Sequence, residues 1–350
     1  MNIRKLLLAL ASALLGAILV VVLLRLARVN VHATVTQLVH CRRTILLQLL
    51  LLNGLLVWFS TVKWRSIDAV LRRPTEAAPS RITAFFVTSA GMALGLILPV
   101  QIGMTVSRTV GTHFYGRAFQ RGTGGTLFEQ SFDLLIVVFL AVASVFTWLC
   151  HGDAFIWTLS AVLVTAIALA GIAPCIRLLR WLCNFSAACA TRRNSDAQVS
   201  LSRRFFSRQL RHVENLQHSG LMNARLAQRL LLLSALRFGV VVFMATRAAE
   251  AIGVHIAFWR MAAAVPFASF ANVVAVTPGG VGVNELASVT ALHLFGISLA
   301  SASEWALANR LLSTASCFAV VACAFLMLGA ERGANSVCRT IRRHQQQETA

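Results

Sequence analysis

Apolar residues fall in long uninterrupted runs rather than in the two- or four-residue rhythm of a soluble fold. Nine stretches carry the pattern: residues 6–24, 44–62, 82–100, 134–150, 154–176, 230–246 (with Arg237 inside it), 261–283, 286–303 and 311–330. A helix rises 1.5 Å per residue, so about 20 residues cross a 30 Å hydrocarbon core. The stretches therefore predict about seven to nine hydrophobic helical segments. The first follows Arg4 and Lys5 and resembles a signal peptide. Its length and the lack of a small-residue cleavage site before Arg25 and Arg28 predict a retained span.

Two stretches are interrupted. Residues 82–100 contain Gly91, Gly95 and Pro99. Basic residues flank them on both sides: Lys63, Arg65, Arg72, Arg73 and Arg81 before, Arg108, Arg117 and Arg121 after. Basic connectors favour the cytoplasm, so a segment with both its flanks basic is expected to dip in and return as a broken or re-entrant helix. Residues 261–283 contain Pro266 and run into Pro278, Gly279, Gly280 and Gly282. Backbone freed by such breakers cannot face lipid, so this turn must face protein or a wet cavity. Pro99 and Gly103 share their spacing with Pro278 and Gly282, which predicts opposite-facing copies in an inverted repeat.

Composition and charge narrow the class. Hydrophobic residues are 57% of the 350 and charged residues 13%, too apolar for a soluble chain of this size. Lys and Arg number 32 against 12 Asp and Glu, a net charge of +20. Because these charges lie between apolar runs, they point to anionic lipid headgroups as partners rather than nucleic acid. The fold expected is an all-α polytopic membrane protein, one transmembrane domain over 1–350. A basic cytoplasmic loop at 177–229, with ten arginines, separates its halves, and a basic cytoplasmic tail occupies 331–350. The stretch from Arg203 to Arg211, basic with Phe205 and Phe206, suits an anionic leaflet. Eight scattered cysteines without a C-x-x-C pair give no disulfide framework or zinc site. No phosphate-binding loop, zinc-protease helix or nucleophile elbow occurs, and no cofactor is expected.

The candidate chemistry lies in polar residues at membrane depth. Glu129 and Asp133 stand one helical turn apart on one face. They serve either as first-turn acids at the interface or as partners of a cationic headgroup, Arg108 or Arg121. Glu285 opens a helix after the glycine turn, where backbone N–H groups are suited to a lipid phosphate, or it is a plain first-turn cap. Arg310 is either a snorkelling residue at a membrane edge or a charge inside the protein. Arg237 is expected to face the interior.

These residues resemble a known family. Pro278-Gly279-Gly280-Val281-Gly282-Val283-Asn284-Glu285, then Gly296 and Arg310, is similar to the "PGGxGxxE … G … R" signature of the lysylphosphatidylglycerol synthase transmembrane-region family. Leu98-Pro99, Gly103 and Arg108, followed by Glu129 and Asp133, resemble its N-terminal block, with Gln101, Met104 and Gln130 in place of the family's Arg, Asp and Arg. The resemblance implies a flippase-like protein of a bacterial inner membrane that binds and translocates a polar lipid: a phospholipid, aminoacyl-lipid, glycolipid or hopanoid. The lipid-headgroup groove it implies joins Pro99, Gly103, Arg108, Glu129 and Asp133 to Pro278, Gly279, Gly280, Gly282, Glu285 and Arg310. The chain ends at Ala350 without the soluble aminoacyltransferase domain of bifunctional members, so lipid lysylation is not expected of it. Two alternatives stand beside transport. One is a membrane enzyme using Glu129 or Asp133 as base on a lipid-linked sugar or isoprenoid. The other is a subunit that presents lipid to a lipid-synthesising enzyme.

Overall fold

The structure, a computed structural model, describes residues 31–72, 78–114, 119–192, 223–274 and 277–348, with Glu76 and single positions between 14 and 27. Of the expected span at 6–24 only positions 14, 18 and 20–23 are described, all helical, and the arginine- and phenylalanine-rich segment at 203–211 lies outside the described residues. A short helix α1 (Val31–Val39) precedes α2 (Arg43–Leu71), α3 (Arg81–Ile97), α4 (Val100–Phe114), α5 (Phe119–Leu149) and α6 (Ala154–Arg192). Then come α7 (Ala224–Ala251), α8 (Phe258–Val274), a 3₁₀ turn (Pro278–Gly280), α9 (Val283–Leu294) and α10 (Leu299–Glu348). Among the described residues five helices are long and apolar enough to span a bilayer: α2, α5, α6, α7 and α10.

The first interrupted stretch is a helical hairpin. Helix α3 starts at Ser80, whose hydroxyl accepts the Thr83 amide as an N-cap. It ends at Leu98, which is extended because the ring of Pro99 bars the residue before it from helical geometry. Helix α4 then packs back along α3. Gly91 and Gly95, expected to weaken the helix, instead lie within α3. A β-carbon built on Gly103 would stand 2.7 Å from the Gly95 Cα, and one on Gly91 would stand 3.2 Å from the Met104 Cα. Small residues thus let two backbones approach in lipid, where no hydrophobic force drives helices together.

The second interrupted stretch is also a hairpin, α8 packed against α9. Pro266, read above as a breaker, lies inside α8. The actual break follows Val274, where Gly279, Gly280 and Gly282 hold φ of 58°, 67° and 83°. The shared Pro–Gly spacing does not carry shared geometry, since Gly103 is a helical packing residue and Gly282 a left-handed N-terminal residue. The repetition is one of hairpins, not of residues. Two further boundaries move. Residues 286–303 are not one segment, because α9 ends at Leu294 and α10 begins at Leu299. The basic region after residue 176 continues α6 to Arg192, and the tail is helical to Glu348.

The order of helices fixes how the hairpins relate. If α5, α6 and α7 each cross once, the chain leaves the first hairpin, crosses three times and reaches the second from the opposite face. The turns themselves touch, as the Gly279 amide donates to the Leu98 carbonyl at 3.0 Å.

Candidate functional site

Five helices turn polar faces toward one interior point, each at helical spacing: Ser60, Lys63 and Trp64 of α2; Gln101, Met104 and Arg108 of α4; Glu129 and Asp133 of α5; Ser234 and Arg237 of α7; Ser269 and Asn272 of α8. Lys63 and Arg108 are fully buried and Glu129 is 3% exposed. The Lys63 ammonium lies 2.6 Å from Asp133 Oδ1 and 3.4 Å from Glu129 Oε1, and donates to Ser234 Oγ at 3.3 Å. Arg108 makes a short contact with Glu129 Oε2 through Nη1, donates to the Ser60 carbonyl at 3.0 Å, and lies over the Trp64 ring. Arg237 reaches Asp133 Oδ2 at 3.4 Å. Charges buried this deeply persist when paired and hydrogen-bonded, and these are.

Glu129 is ten residues into α5, more than two turns past its start, so the helix-start reading does not hold. Arg108 is the partner found; the Arg121 side chain lies outside the described residues. Lys63 is the residue the sequence reading misplaced. Counted above among connector charges, it is inside α2, because that helix runs past Val62 to Leu71. Its one sequence signal was its spacing from Ser60 and Asn53, both buried polar residues of the same helix.

Beside this network lies a cavity of about 250 Å³. Its wall includes Glu129, Asp133 and Arg237, the amides Gln101, Gln130 and Asn272, and the hydroxyl residues Ser60, Ser234 and Ser269. Gln101 and Met104 follow the first hairpin turn and Ser269, Asn272 and Val273 precede the second. Both hairpins therefore contribute a helix to the wall of the same polar space.

The glycine turn has a different task from the one its sequence suggests. The Gly279 amide is bound by Leu98, Gly280 by Thr277, Val281 by Pro278, and Gly282 by Glu285 Oε2 at 2.7 Å. These four donors are spent inside the protein. Glu285 is buried as a cap on its own turn, and its other oxygen lies 3.7 Å from Arg310 Nη1. Arg310 lies eleven residues into α10, which begins at Leu299, and its side chain turns toward the second turn. Its Nη1 donates to the Gly279 carbonyl at 2.8 Å. One residue of the second turn, Gly279, is thus held by Arg310 through its carbonyl and by Leu98 through its amide. Arg310→Gln should lower the thermal midpoint in detergent, with a loss of about 1–2 kcal/mol for a charge-assisted bond that is partly solvated. An unchanged midpoint would show that the turn holds itself.

Of the residues expected to form one groove, Glu129 and Asp133 line the cavity and Arg108 anchors Glu129. Pro99 and Gly103 shape the first hairpin. Pro278, Gly279, Gly280 and Gly282 build the second turn, outside the wall of this cavity, while Glu285 and Arg310 line a separate small pocket of about 40 Å³.

Spans enclosing two hairpins around a charged cavity define an all-α multi-pass membrane protein. The model of the lysylphosphatidylglycerol synthase transmembrane region matches residues 6–322, and the chain belongs to that family. A search of the curated proteins returns no match to this chain.

Proposed function

We propose that the protein binds a polar lipid by its headgroup in the cavity between the two hairpins and passes it across the membrane while the acyl chains stay in the bilayer. The observation that carries this reading is the convergence of a helix from each hairpin on one polar cavity. Irregular backbone from opposite faces around a shared polar site is the architecture of alternating access. Family membership supports a lipid-related role. The charge pattern of the loops supports an orientation with the basic central loop and tail facing the cytoplasm, and the family resemblance suggests a bacterial inner membrane.

The catalytic alternative is weaker, because every oxygen of Glu129 and Asp133 already meets a cation of the protein. The test is a plug. In proteoliposomes carrying a fluorescent phospholipid, Ser269→Phe places a ring in the cavity. Translocation by the variant should fall to the level of protein-free vesicles, while its elution as a single species stays that of the wild type. Translocation at the wild-type rate through a plugged cavity would sink the reading.

A further inference from the structure

We propose that the cavity selects a phosphodiester bearing a single net negative charge, the headgroup of a monoanionic phospholipid, over zwitterionic and cationic headgroups. This rests on the lipid reading of the same cavity and adds the charge of its occupant.

The argument is a charge count. Among the described residues, the network at the cavity holds three cations, Lys63, Arg108 and Arg237, and two carboxylates, Glu129 and Asp133. The sum is +1. The surplus has a location. Lys63 and Arg108 are sealed in and tightly paired, whereas Arg237 is 27% exposed and reaches Asp133 at 3.4 Å, with its Nε buried and unpartnered. An uncompensated cation inside a membrane protein is costly, and a bound monoanion cancels it. A guanidinium presents a planar fork that matches two phosphate oxygens.

The same wall disfavours an ammonium group. Both Glu129 oxygens meet Arg108 or Lys63, and each Asp133 oxygen meets Lys63 or Arg237. What remains for the rest of the headgroup is neutral. Gln101, Gln130, Asn272 and Ser269 stand on the same wall. Those groups suit hydroxyls. A phosphoglycerol end fits both halves of the site, with phosphate at Arg237 and hydroxyls at the amides.

The experiment measures binding and transport separately on the purified full-length protein. Short-chain fluorescent lipids with phosphoglycerol, phosphoethanolamine and aminoacylated phosphoglycerol headgroups are titrated in detergent. The same lipids are then followed for translocation in proteoliposomes. The phosphoglycerol lipid should bind at least roughly tenfold more tightly than the aminoacylated one, a small part of the roughly thousandfold that one full charge contact is worth at an effective dielectric near 20. Arg237→Lys should keep the preference and Arg237→Gln should erase it. Equal binding of the three lipids by wild type, or an unaltered preference in a folded Arg237→Gln, overturns the inference even if lipids are translocated. Selective binding without translocation upholds it and removes the transport reading instead. Glycerophosphoglycerol, the same phosphodiester without acyl chains, gives the last arm. Competition at equal affinity would uphold the charge selection and assign the site to a soluble ligand.

Discussion

Glu129→Gln should be the most damaging polar substitution in the protein, with a loss of about 3–5 kcal/mol, the range for removing one partner of a buried ion pair. Glu129 is the carboxylate shared by Lys63 and Arg108, two cations with no access to solvent. Without it Arg108 keeps the Ser60 carbonyl and the Trp64 ring as its neighbours, neither of which carries charge. Asp133→Asn should cost less, about 1–2 kcal/mol, because Asp133 is 24% exposed and water in the cavity can take part of its role. Thermal unfolding in detergent, followed by the amount of protein eluting as a single species, measures both. The double variant Arg108→Met with Glu129→Met supplies the decisive comparison. It removes a cation with its anion and leaves Lys63 on Asp133, so it should be more stable than Glu129→Gln alone. If the two losses simply add, the pair is not coupled and the network account fails.

Gly103→Ala should break the first hairpin. The added methyl would stand 2.7 Å from both the Gly95 Cα and the Leu94 carbonyl carbon, and nearer still to the Gly95 nitrogen. These are backbone atoms of a neighbouring helix, so no rotamer change relieves the clash. Separating α3 from α4 would also draw Arg108 away from Glu129, since both Gly103 and Arg108 lie on α4. A loss of about 3 kcal/mol or more is expected, at the upper end for overpacking. Gly54→Ala is the matched control, because nothing lies within 4 Å of its added carbon. It should stay within about 0.5 kcal/mol of wild type. Equal behaviour of the two variants would show that α3 and α4 do not need contact at this point.

The site was partly legible before any coordinates. Glu129 and Asp133 were visible because carboxylates one turn apart in an apolar region are rare and costly, and Arg237 for the same reason. Lys63 was not visible. A lysine at the end of an apolar run reads as an interfacial residue, and only the continuation of α2 to Leu71 takes it inside. Gly103 showed the opposite failure. Its motif spacing invited a comparison with Gly282, yet one glycine serves close helix packing and the other a left-handed turn.

What the sequence determined by itself was the solvent, the helical class and the two breaks, at Pro99 and in the turn at 278–282. Apolar run length, loop charge and the fixed geometry of proline and glycine are local properties, and each residue carries them wherever the chain goes. What the tertiary structure decided was pairing: which cation meets which carboxylate, and that the amides of the glycine turn are spent on Leu98, Thr277, Pro278 and Glu285. Lys63 and Asp133 are 70 positions apart and Arg237 a further 104. Their meeting depends on how α2, α5 and α7 pack, and the spacing within any one helix holds no record of its neighbours.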